Sequence, residues 1–236
     1  MTYLILNALF SINFLLIYNS MEVFSKKEVV VNPPVHEQSN DDLERFATNK
    51  KIPLEIRDIA LEALSYFPDL FETEIDFQFK KNINGSVMQA QPKIGSLLFS
   101  SKENRGYRIK ISRYLALEDE AVPIETLPKE VLLGWIGHEL GHIQDYLERS
   151  AFNLLQFGVK YYLSNTFLSE AEIAADSYAV AFGLGKHIIA TKNFVLNHDK
   201  LPEDYKLKIR TLYMSPGEIL SMVDAEDSEE DISDEN

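Results

Sequence analysis

Residues 131–147, VLLGWIGHELGHIQDYL, are apolar on nearly every face of a helix, yet ionisable side chains stand in the middle of the run. Leu132, Leu133, Trp135, Ile136, Leu140, Ile143 and Leu147 leave no broad polar face, so such a helix has to be buried. His138, Glu139 and His142 go inside with it, and buried polar groups are costly without partners. The two histidines are four residues apart, which places them on one helical face with Cβ atoms about 5–6 Å apart. Both imidazoles can then reach one metal ion, with the Glu139 carboxylate beside the place a water would take. His138-Glu139-Leu140-Gly141-His142 is the HExxH pattern of a hydrolytic zinc site.

A catalytic zinc takes three protein ligands and keeps one position open. The chain has no cysteine, so the third ligand is His, Asp or Glu. The segment Ser169-Glu170-Ala171-Glu172-Ile173-Ala174-Ala175-Asp176 offers Glu172 and Asp176, four apart on a second predicted helix. Glu172 can bind the metal, and Asp176 can accept the Nδ1 proton of a ligand histidine and fix its tautomer. Gly134 and Gly141 lie near the histidine stripe, and Ala171, Ala175 and Ala179 near the carboxylate stripe, so the two helices can approach closely. A second assignment stays open: Ser169 as N-cap with Glu172 folding back on it, which would leave Glu170 as the ligand. Glu170 has no carboxylate four residues on, since position 174 is Ala, and this favours Glu172.

HELGH at 138–142 followed by E-I-A-A-D at 172–176 resembles the gluzincins, most closely the group of CAAX-prenyl proteases and bacterial heat-shock membrane proteases. The resemblance covers residues 107–215. It implies a zincin-like fold with Zn²⁺ held by His138, His142 and Glu172. It also implies Glu139 as general base and acid in peptide-bond hydrolysis, with Asp176 behind a ligand histidine. The family has a histidine in an H-P-x-x-x-R-I-x-x-L stretch that helps hold the transition state. Here the similar stretch starts at His198, with its Pro displaced and its spacing longer, so the resemblance points to His198. Tyr205, Arg210 and Tyr213 are substitutes for that role. His187 falls beyond the end of the second helix, as a surface residue, and His36 in a linker. The rival class is a non-catalytic zinc-binding scaffold, against which Glu139 speaks: a structural metal site has no use for a carboxylate beside an open position.

The rest of the chain bounds the setting. Net charge is −14, but residues 224–236 hold eight acids and no base, and without them it is −6 (29 acids against 23 bases). Such a run reads as a disordered acidic tail. No basic patch points to nucleic acid. Residues 1–20 contain an apolar stretch, 3–18, shorter than the about 20 residues of a spanning helix and without a basic start or cleavage site. Signal peptide, membrane anchor and spurious start ahead of Met21 all remain open, with a cytoplasmic or membrane-associated setting favoured over a secreted one. Residues 21–51 read as a linker and 52–223 as one domain.

Within that domain, 52–67 predicts a helix with Ile56, Ile59, Ala60, Ala63 and Phe67 on one stripe. Glu74–Lys80, 86–91, 94–100 and 107–114 predict strands. The HExxH helix is expected from an N-cap at Thr126, with Pro128 just inside, to about Arg149. An apolar helix follows over 151–167, then the Glu172 helix to Phe182, ended by Gly183 and Gly185. Residues 202–213 and 216–223 predict two last helices. The fold class is α+β: a small antiparallel or mixed sheet of three or four strands and a helical half carrying the metal site. The strand just before the HExxH helix, 107–114, resembles the edge strand on which a gluzincin substrate pairs, so a peptide or protein substrate is the expected partner.

Overall fold

The alternating stretches pair into one four-stranded mixed sheet in the computed structural model, which describes residues 40–83, 85–151, 153–154 and 164–233. The expectations for residues 1–20, for 21–39 and for most of the 151–167 helix lie outside the described residues. β1 (Lys50–Lys51), β2 (Glu74–Lys80), β3 (Met88–Pro92) and β4 (Gly106–Ser112) lie in the order β1-β2-β4-β3. β2 runs parallel to β1 and to β4, with Ile75 opposite Tyr107 and Phe79 opposite Ile111. β3 runs antiparallel to β4, with Met88 opposite Ile111 and Ala90 opposite Ile109. Ile75, Phe77, Ala90, Tyr107, Ile109 and Ile111 are buried, as alternation on a half-buried sheet requires. β5 (Tyr114–Ala116) and β6 (Ala121–Pro123) form a separate two-stranded sheet.

Two strand expectations are corrected. Residues 107–114 do not make an edge: β4 is enclosed by β2 and β3, and β3 is the outer strand. Residues 94–99 form a short helix instead, and Ser100 is extended. Ser96 Oγ accepts Gly106 N–H at 2.9 Å and donates to Lys93 O at 3.0 Å, which ties the segment back on itself at the start of β4. The chain turns there, Leu97 N–H donating to Lys93 O at 2.9 Å, and it leaves Ile94, Leu98 and Phe99 exposed.

The helices, in chain order, are α1 (Asn40–Leu43), α2 (Arg57–Ser65), α3 (Ile94–Phe99), α4 (Lys129–Glu148), α5 (Asn165–Ala179), α6 (Gly185–Asn197), α7 (Glu203–Leu212) and α8 (Pro216–Ser233). Residues 40–51, expected inside the linker, are folded: Leu43 and Phe46 are buried and β1 extends the sheet. α4 begins at Lys129 with Pro128 as its cap, while Thr126 Oγ1 donates to Pro123 O at 2.8 Å and closes a preceding turn. α5 begins earlier than expected. Ser164 is the N-cap, its oxygen accepting from Phe167 N–H at 3.3 Å, so Ser169 lies inside the helix and binds Leu212 O at 2.9 Å. That removes the capping-box reading of Glu172. Gly183, at φ +84°, breaks the path after α5, as a residue without Cβ can. A new helix, α6, follows that the sequence reading did not identify. α8 continues through the acidic run to Ser233, where a disordered tail from 224 was expected; no Gly or Pro interrupts that stretch.

α4 is the centre of the helical half. It packs on α5, α6, β3 and α2, and residues Val131–Tyr146 are all buried. Close approach needs small residues: a Cβ on Gly141 would run into the Ala175 carbonyl of α5. A Cβ on Gly134 would run into His187 O and Thr191 Oγ1, so Gly134 serves α6, not α5.

Candidate metal centre

The Gly141–Ala175 contact brings the histidine stripe of α4 against the carboxylate stripe of α5. His138 Nε2 stands 3.0 Å and His142 Nε2 3.3 Å from the same atom, Glu172 Oε2. Metal-ligating atoms of these three buried residues all lie within 4.8 Å of one another. Glu170 is exposed and lies outside this group, while Glu172, 1% exposed, is the carboxylate that converges with the two histidines. Asp176 Oδ1 is 2.9 Å from His138 Nδ1, the orientation expected for it. His142 Nδ1 is buried without a hydrogen-bond partner among the described residues.

These residues fit a metal ion. Hydrogen bonds alone would require one carboxylate oxygen to accept from two imidazoles, and His138 to carry protons on both nitrogens. A tetrahedral zinc with bonds of about 2.1 Å holds its ligand atoms about 3.4 Å apart, close to the two separations observed here. In the metal-free protein the protons take the metal's place. Burial works against a charged His138, but Asp176 and Glu172 outweigh it and push its pKa up to about 10. Burial likewise opposes ionisation of Glu172, and His142 and His138 outweigh it, holding the carboxyl well below its usual range.

Glu139 is buried at 5% exposure and is not one of the converging donors. Its Oε2 accepts the main-chain N–H of Ala90, so the outer strand β3 fixes its orientation. Burial raises its pKa, against the pull of His142 and His138. Tyr146 stacks on His142 with ring centres 6.0 Å apart. A small cleft with a free volume of about 40 Å³ is lined by His138, Glu139, Trp135, Met88, Tyr205 and Tyr213, among others.

His198 does not join this group. α6 carries it past Asn197 to the helix end, where it accepts Lys200 N–H at 3.2 Å and lines a separate depression with Leu117, Glu120 and Val122. Arg210 is exposed and faces Glu203 at 3.5 Å. Tyr205 and Tyr213 are therefore the substitutes that reach the cleft. Burial holds the Tyr205 phenol well above its usual pKa despite the bond from the Trp135 indole, so it keeps its proton. His187 is half-buried on α6.

One participant was missed. Lys192 Nζ donates to Asp176 Oδ2 at 2.8 Å, and both residues are buried. Its signal was a lysine on the apolar stripe Ile188–Val195, at i+4 and i+7 of a helix not recognised as one. Comparison with family models, curated proteins and solved structures gives no match for this chain.

Proposed function

We propose that the chain is a zinc-dependent metalloendopeptidase of the gluzincin type, with a zincin-like catalytic domain. The observation that carries this is Glu139: a buried carboxylate held by Ala90 N–H next to three converging donors, lining the same small cleft as His138. A site that only binds metal needs no such group. His138, His142 and Glu172 would hold the ion, with Asp176 behind His138. Zinc, when bound, supplies a Lewis acid that makes water more acidic and polarises a carbonyl. Glu139 takes the proton of the attacking water and returns it to the leaving amine. Tyr205, protonated and in the cleft, donates to the carbonyl oxygen as charge develops there, the role the resemblance had pointed to for His198. A peptide entering the cleft would lie against Met88 of β3, although Ala90 N–H and Met88 O on the outer edge of that strand are already held by Glu139 and Ser86.

The test is metal content together with a peptide-library digest of wild type and Glu139→Gln. One zinc per chain in both is expected. The amide is nearly isosteric but cannot accept the proton, so cleavage drops about 10²–10⁴-fold. Near wild-type turnover in Glu139→Gln refutes the mechanism. Zinc binding with no peptide cleaved by the wild type favours a scaffold.

A further inference from the structure

Lys192 is a buried charge at the metal centre with no part in the proposed hydrolysis. It is 5% exposed on α6. Its ammonium is fixed to Asp176 Oδ2 at 2.8 Å, while Asp176 Oδ1 faces His138 Nδ1 at 2.9 Å. It also stands 4.8 Å from the centre of the Tyr213 ring, which in turn lies 5.5 Å from the His138 ring. One lysine thus grips both the carboxylate behind a metal-binding histidine and the aromatic wall of the cleft.

A buried cation beside a cation site is adverse for affinity, because like charges repel strongly where water is excluded. Its effect on the group is on the balance of charge. When ionised, Glu139, Glu172, Asp176 and Lys192 together carry −2 (three carboxylates, one ammonium), which a divalent cation balances. Without Lys192 they would carry −3, and the surplus would reach the metal through Asp176 and His138. A carboxylate paired with an ammonium draws less on the imidazole proton, so the imidazole donates less to its metal.

We infer that Lys192 is a positioning residue that weakens metal binding both by its own buried charge and, through Asp176, by limiting how strongly His138 donates to the bound metal, while keeping the metal electrophilic. The effect on affinity rests on the three-donor group alone, and the effect on rate rests on the peptidase reading. The experiment is zinc affinity of the full chain, by competition with a chelator of known affinity, and kcat and KM on a peptide the wild type cleaves. Damage behind a ligand ordinarily weakens binding by about 10–100-fold, as is expected of Asp176→Asn. Lys192→Met is expected to move the other way, binding zinc about tenfold more tightly, with kcat lowered and KM little changed. Lys192→Met strands the Asp176 charge, so the double variant Lys192→Met/Asp176→Asn, which strands none, is measured as well. It is expected to bind zinc more tightly than Asp176→Asn. Weaker zinc binding by Lys192→Met than by wild type overturns the inference. If that variant does not fold without metal, binding by the double variant no tighter than by Asp176→Asn overturns it instead. Tighter binding with undiminished kcat overturns the effect on rate. Tighter binding in a protein that cleaves no peptide upholds the charge-limiting role and sinks the peptidase reading alone.

Discussion

Replacing Gly141 by Ala tests whether the closeness of α4 and α5 is what assembles the donors. The new Cβ would stand 2.2 Å from the Ala175 carbonyl oxygen and 3.0 Å from its carbon, where ordinary contact begins at 3.4 Å. The obstacle is main chain and cannot rotate away, so the helices must part by roughly 1 Å in an interior packed without slack. α4 carries His138 and His142 and α5 carries Glu172, and metal sites accept ligand errors of only about 0.2 Å. Overpacking costs about 1–3 kcal/mol, and a rigid neighbour puts this site near the upper end. At about 2–4 °C per kcal/mol for a unit of this size, the metal-free protein should melt about 6–12 °C lower. Zinc affinity, measured against a competing chelator, should fall at least about tenfold. Gly137→Ala is the graded control: its Cβ meets the movable end of Leu184 at 2.6 Å and should cost less. Gly217→Ala, with nothing within 4 Å of the new Cβ on α8, should be neutral or stabilising. A Gly141→Ala protein that binds zinc like wild type and melts within about 2 °C of it would show that the reasoning is wrong.

Other outcomes separate the remaining assignments. Glu172→Ala should empty the site while Glu170→Ala retains the metal, and the reverse result by elemental analysis would reassign the third ligand. Tyr205→Phe should lower kcat about 10²–10³-fold with zinc retained, whereas His198→Ala should leave peptide cleavage unchanged; equal rates for both variants would remove Tyr205 from the oxyanion role. In the metal-free chain, the His138 pKa is raised from 6.5 to about 10, so its contribution to stability is complete below pH 6.5 and is lost as pH rises towards 10. Urea midpoints of chelator-treated protein should therefore fall between pH 6.5 and 10, and a rising midpoint contradicts the buried His138–Asp176–Glu172 arrangement. Truncation after Val223 keeps buried Ile219 and the Val223 contact with Gly185, so the melting temperature should not change; a large drop would mean that the acidic end of α8 is docked.

The amino-acid sequence alone determined what depends on spacing along one element. A four-residue interval puts His138 with His142 and Glu172 with Asp176 whatever surrounds them, because the helical repeat is local. An apolar run bearing those groups has to be buried, and alternation made β2 and β4 strands. Tertiary structure decided the rest. Residues 94–100 carry a pattern that suits strand or helix, and the tie between Ser96 and Gly106 at the start of β4 goes with a helix over 94–99. Ser164 and Ser169 are both competent N-caps, and the Leu212 carbonyl near Ser169 selected Ser164. The outer strand, the Ala90 amide on Glu139 and the Lys192 ammonium on Asp176 join residues 49 and 16 positions apart in the chain, beyond the reach of any periodicity. Such pairings follow from which sheet edge lies free and which helix lies beside which, and neighbouring residues carry no record of either.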